Sequence, residues 1–255
     1  MEWRRAQQLK IFIVVIIPVV IIGFFAFRGF YPAPSCFDGK KNQHEEAIDC
    51  GGECVLCKVL APKPIEERWV RLVLVSENVY DVVVELLNPN ADYGVVHLPY
   101  RIEILSGSNS KIAERAGETF FLPAELKHII QLNIFSSLVP SRVNLFLGES
   151  EWVKKEDMAV TSTRLLVGSR EFLPASPGLK PRVRAVLTNQ SPYHYQVVVV
   201  NVLLLDQRKN VIHSTQTIIR DLTAGESRSV DVLWPAAISQ TVADVIIEPE
   251  VNVFD

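Results

Sequence analysis

No cysteine occurs after Cys57, so the 198 residues that follow must fold without a disulfide, and thiol chemistry is confined to Cys36, Cys50, Cys54 and Cys57. Neither sign of charge dominates: 26 Lys and Arg stand against 29 Asp and Glu, which excludes the basic footprint of a nucleic-acid binder and an acidic tail. With only 12 glycines the chain offers no phosphate loop and no dinucleotide fingerprint. Its five histidines (His44, His97, His128, His194, His213) lie far apart, and none forms an H-E-x-x-H pair. The serine contexts Gly148-Glu149-Ser150-Glu151 and Gly225-Glu226-Ser227-Arg228 make no nucleophile elbow. These absences argue against an enzyme, and no cofactor is expected.

Charge is also missing from Ile11 to Phe27, a run of 17 residues. At about 1.5 Å per residue it covers roughly 26 Å, close to a hydrocarbon core of about 30 Å. Leu9, Phe30 and Tyr31 extend it with interfacial residues. Arg4, Arg5 and Lys10 precede the run and only Arg28 follows it closely, so the positive-inside rule predicts a cytoplasmic N-terminus. A cleaved signal peptide would have a shorter apolar region ending in small residues, whereas bulky Phe24, Phe25 and Phe27 stand here. The expectation is a basic tail over 1–10 and a single transmembrane anchor over 11–31, with the rest of the chain outside the cytoplasm.

Four cysteines within 22 residues, in a segment with few large apolar side chains, read as a covalent staple in an oxidising compartment. Two disulfides are expected within 36–58, with three connectivities open. Asp38, Asn42, Glu45 and Asp49 could supply oxygen ligands to Ca²⁺, although the spacing is not that of an EF-hand; solvated turn residues are the alternative. A four-cysteine zinc site would need a reducing compartment, against the predicted topology. The segment resembles the C-x-D-G-x-x-N-x-x-E-x-x-x-D-C-G-G-x-C-x-x-C segments of exported bacterial and archaeal surface proteins. That resemblance implies an extracellular disulfide-bonded module and no activity.

From Glu66 onward short Val-, Ile- and Leu-rich runs alternate with polar residues and are separated by Pro, Gly, Asn and Ser. Tyr100, Ile102 and Ile104, then Val143, Leu145 and Leu147, then Val183, Ala185 and Leu187 show the period of two that marks half-buried strands. The halves also repeat. Val82-Val84-Leu86 before Asn88 matches Val183-Ala185-Leu187 before Asn189, and the strand 98–104 matches 198–204. Ala116-Gly117-Glu118-Thr119 is paired with Ala224-Gly225-Glu226-Ser227. The second half is similar to the FxLYD-type immunoglobulin-like domains of exported prokaryotic proteins, although the FxLYD tetrapeptide itself is absent.

The predicted fold is therefore all-β: two tandem immunoglobulin-like β-sandwiches over 66–158 and 162–255, after one transmembrane helix and a short disulfide-rich segment. Trp152 and Trp234 are expected in cores, and Tyr193, His194 and Tyr195 in a recognition loop. Asn189-Gln190-Ser191 has the form of an N-glycosylation acceptor, but Pro192 follows it and a simple turn is the expected reading. The function expected is non-enzymatic: presentation of the sandwiches to an envelope protein partner at the membrane exterior. The alternative is a surface module stabilised by Ca²⁺ in the acidic cysteine segment.

Overall fold

The computed structural model describes residues 16–24, 35–57, 61–234 and 238–254. The chain divides into two units, Met1–Ala61 and Pro62–Asp255. In the first, 16–24 is helical, and its side chains from Ile16 to Ile22 include several left exposed, Ile22 at 68 %. Among the described residues no helix is long and apolar enough to cross a membrane. Most of the predicted anchor, 11–15 and 25–31, lies outside the described residues, as does the predicted tail 1–10.

The second unit is built of antiparallel strands. These are β1 (Glu66–Ser76), β2 (Val79–Leu87), β3 (Tyr93–Ser106), β4 (Lys111–Phe121), β5 (Leu126–Phe135), β6 (Pro140–Leu147) and β7 (Glu151–Lys154). Then follow β8 (Leu165–Leu173), β9 (Arg182–Asn189), β10 (Tyr195–Leu205), β11 (Val211–Leu222), β12 (Ser227–Leu233) and β13 (Asp244–Glu250). They form sheets in the orders β1-β2-β5, β4-β3-β6 with β7 also on β3, β12-β9-β8 and β11-β10-β13.

Alternation decides which side chains meet, because successive residues of a strand point to opposite faces. Val82, Val84 and Leu86 of β2 meet Leu98, Tyr100, Ile102 and Ile104 of β3 in one core, with Ile129 and Phe121. Val183 and Leu187 of β9 meet Val198, Val200, Val202 and Leu204 of β10 in a second. As expected, Trp234 is buried in the second core and Trp152 packs on the first. The near-continuous apolar run of β10 interrupts the alternation, and from Val200 to Leu205 the strand is buried on both faces. Leu203 and Leu205 turn away from the second core and join Val73, Val83, Ile130 and Val211 in a third cluster. That third cluster is the joint between sheet β1-β2-β5 and sheet β11-β10-β13.

The two sets of strands turn their corners alike. Asn88 and Asn189 are both 0 % exposed. The Asn88 side-chain amide donates to the carbonyls of Tyr93 and Leu122, and that of Asn189 to those of Tyr193, Leu222 and Thr223. Each buried carbonyl would otherwise cost about 1–3 kcal/mol. Asn189 is therefore a corner bolt whose side-chain amide is engaged, which agrees with the turn reading of Asn189-Gln190-Ser191.

The repeat is corrected at one place as well. Gly117 lies inside β4, opposite Tyr100, where an added Cβ would come within 2.5 Å of the Tyr100 hydroxyl. The counterpart of the turn Thr223–Glu226 is instead Leu122–Glu125. In both, the glutamate side chain accepts the backbone N–H three residues back, and the glutamate carbonyl accepts that of the corner asparagine. A left-handed residue occupies the third position of each, Ala124 (φ 55°) and Gly225 (φ 75°). Alanine at that position conceals the match from the sequence, since glycine is the usual mark of positive φ.

Candidate functional site

The cysteine module has no apolar core to organise it, and its polar residues take over that task. Two disulfides close it, Cys36–Cys54 and Cys50–Cys57, so all four cysteines are paired and one of the three open connectivities is selected. Asp49 Oδ1 accepts the backbone N–H groups of Asp38 and Gly39 at 3.0 and 3.1 Å. Asp38 Oδ2 accepts the Asn42 side-chain amide at 2.9 Å, which is the main reason the Asp38 carboxyl is held below its ordinary pKa. Buried Glu45 accepts the N–H groups of Asn42 and Asp49 with one oxygen, at 3.1 and 3.2 Å. Gly51 and Gly52 take positive φ, and a Cβ on Gly52 would sit 2.4 Å from the His44 carbonyl oxygen.

Asp38, Asn42, Glu45 and Asp49 thus form one connected network, directed at backbone donors. Among the described residues, Asp38, Glu45 and Asp49 do not form a group whose carboxylate oxygens all lie within 4.8 Å of one another. Glu45 lies against Cys36 and Cys54 instead, and those sulfurs are spent on their disulfide.

A second polar assembly lies at the joint. His128, on β5, places Nδ1 2.7 Å from Glu248 Oε1 of β13. Its Nε2 lies 3.2 Å from Glu85 Oε2 but off the line of a hydrogen bond. Next to it Lys127, 4 % exposed, gives its three protons to Thr119 Oγ1, the Phe120 carbonyl and Glu250 Oε1. Its ammonium also sits 3.7 Å from the centre of the Phe120 ring, a cation–π contact. Asp81 accepts the Ser214 hydroxyl at 2.7 Å across the joint and the Asn133 N–H at 2.9 Å within its own sheet. Burial pushes the Asp81 carboxyl above its ordinary pKa and the His213 imidazole below its own.

These joint residues escaped the reading of the sequence because partners such as His128 and Glu248 lie 120 positions apart. The available signal was the presence of Lys127-His128 and Glu248-Pro249-Glu250 inside otherwise apolar strands.

The predicted recognition loop lies on a third feature, a groove of about 680 Å³. Tyr193 and His194 stand on its rim, Val197 and Val199 of β10 line it, and Phe120 and Val251 contribute from other elements. Tyr193 is 46 % exposed. Tyr195 turns inward, and its hydroxyl donates to the Thr163 carbonyl at 2.9 Å, so this residue serves packing and not recognition. Compared with models of known protein families and with curated proteins, the chain matches none.

Proposed function

We propose that this chain is a non-enzymatic, membrane-tethered envelope protein. Its two tandem immunoglobulin-like sandwiches stand outside the cytoplasm and present a surface for an envelope protein partner, as scaffold or adhesion module. The observation that carries this reading is the closure of all four cysteines into two disulfides within a coreless module. Such staples persist in oxidising compartments and are scarce in the cytosol. The uncharged run Ile11–Phe27, with Arg4, Arg5 and Lys10 before it, supplies the tether and its direction. The matched corners at Asn88 and Asn189 support descent of the two sandwiches from one duplicated unit.

The test is topological. In cells stripped of outer barriers, a membrane-impermeant protease is expected to release fragments from beyond Arg28. Thiol alkylation of the native protein is expected to label no cysteine until a reductant is added. Complete protection from the protease, or four reactive thiols in native material, would remove the reading.

A further inference from the structure

Polarity runs the wrong way round in the cysteine module. Its large apolar side chains are Phe37, Ile48, Val55 and Leu56, and all four are exposed, at 86 %, 56 %, 45 % and 66 %. Glu45, a charged residue, is meanwhile 4 % exposed. A segment this short has little interior, but that interior is given to Glu45 and Cys50 and not to Phe37 or Leu56. Single exposed apolar residues are ordinary on a protein surface; a buried carboxylate inside a shell of all the large apolar groups is not.

The cross-links gather these four residues. Cys36–Cys54 sets their chain neighbours Phe37 and Val55 on either side of one bond, with the cysteine Cα atoms 5.6 Å apart. Asp49 accepts the N–H of Asp38, which brings Ile48 to the stretch that holds Phe37. Leu56 follows Val55 and precedes Cys57, which is tied to Cys50.

We propose that Phe37, Ile48, Val55 and Leu56 seat the cysteine module in the interfacial layer of the bilayer that carries its own tether, a zwitterionic lipid surface. The inference rests on the tether reading and adds the contact by which the module meets the membrane. Reach argues for this occupant. The uncharged run ends at Phe27, and nine steps along the chain lead to Cys36. Fully extended they span about 30 Å, so a bilayer holding that run is always within range and acts at high effective concentration. Charge argues for the kind of lipid. Between Cys36 and Cys57 five carboxylates stand against Lys40 and Lys41, so an anionic surface would repel the module and the contact is apolar. Apolar side chains carried by a polar scaffold settle at the boundary of headgroups and acyl chains. The two disulfides hold them out beforehand, which reduces the ordering lost on contact. The module is then a foot on the membrane and not a free spacer.

The experiment uses the full chain in nanodiscs of zwitterionic lipid, with or without bromine on the upper acyl chain, where it quenches tryptophan on contact. Phe37→Trp and Leu56→Trp each add one emitter to the parent. That added emission is expected to fall at least twofold in brominated discs and to resist quenching by aqueous acrylamide. Phe37→Asp combined with Leu56→Trp should reverse at least half of the bromine effect. In every variant no cysteine should be alkylated before reduction, which shows the module closed. Added emission blind to bromine would overturn the proposal. Access to acrylamide would then place the module in water, and protection from it would mean that a protein surface covers these side chains. Bromine quenching unchanged by Phe37→Asp would overturn it as well, since the four side chains would not act together. A chain that leaves the discs would sink the tether reading and this contact together. One that stays in the discs with bromine-blind tryptophans sinks this contact alone.

Discussion

Asp81 is 1 % exposed and spans two structural tasks. One oxygen holds the N–H of Asn133, a residue at φ 56° where the β2–β5 register slips, and the other takes the Ser214 hydroxyl from across the joint. Desolvation is the largest influence on this carboxyl and raises its pKa above the ordinary 3.8, despite both hydrogen bonds. The sign of the consequence follows from linkage. A carboxyl with a raised folded-state pKa favours the protonated form in the fold, so ionisation costs stability as pH climbs from 3.8 through the folded value. Asp81→Asn keeps an acceptor for Asn133 and a partner for Ser214 without the charge. The variant is expected to be more stable than the parent at pH 7, with the gap narrowing as the pH falls towards 4. Urea melts at several pH values measure this. His213, depressed by burial, draws support for its charged form from the Asp81 carboxylate, so Asp81→Asn also removes that support in acid and narrows the gap in the same direction. A variant less stable than the parent at pH 7 would mean that the two hydrogen bonds to Asp81 outweigh its desolvation.

Among the elements, the cysteine module is the one whose order rests on hydrogen bonds and covalent links in place of apolar burial. Asp49 gathers the N–H groups of Asp38 and Gly39, which places Cys36 for its bond to Cys54. Asp49→Ala is expected to cost the module about 1–2 kcal/mol, seen as faster reduction of Cys36–Cys54 by dithiothreitol in the full chain. Added Ca²⁺ should give the parent no heat and leave that rate unchanged, because the carboxylates already serve backbone donors. Calcium that slowed the reduction would favour the ligand reading of Asp38, Asn42, Glu45 and Asp49. The sequence made these four positions conspicuous by their spacing but could not separate ligands from turn caps, because both uses require free oxygens close together. The strands were legible for a different reason. The period of two in Tyr100-Ile102-Ile104 or Val183-Ala185-Leu187 is local and written in consecutive residues. Pairings were not: the match of Leu122–Glu125 with Thr223–Glu226 emerges only once Asn88 and Asn189 are seen to bind them both.

For the region 62–255, the joint decides whether the two cores behave as one body or two. It combines an apolar cluster with polar partners from opposite sides, Lys127 with Glu250 and His128 with Glu248. Leu203, 0 % exposed, sits in that cluster and faces away from the second core. Leu203→Asp would set a carboxylate among Val73, Val83 and Ile130 with no cation provided for it. A loss of about 3–5 kcal/mol is expected from the lost packing and the buried charge. Because Val202 and Leu204 keep filling the second core, the damage should fall on the joint and leave both cores folded. Calorimetry is then expected to show one transition for the region in the parent and two in Leu203→Asp. Ile218→Glu, on the same sheet face but outside the joint, should retain the single transition. A parent that already melts in two steps would mean that the polar pairs and the apolar cluster together fail to couple the two cores.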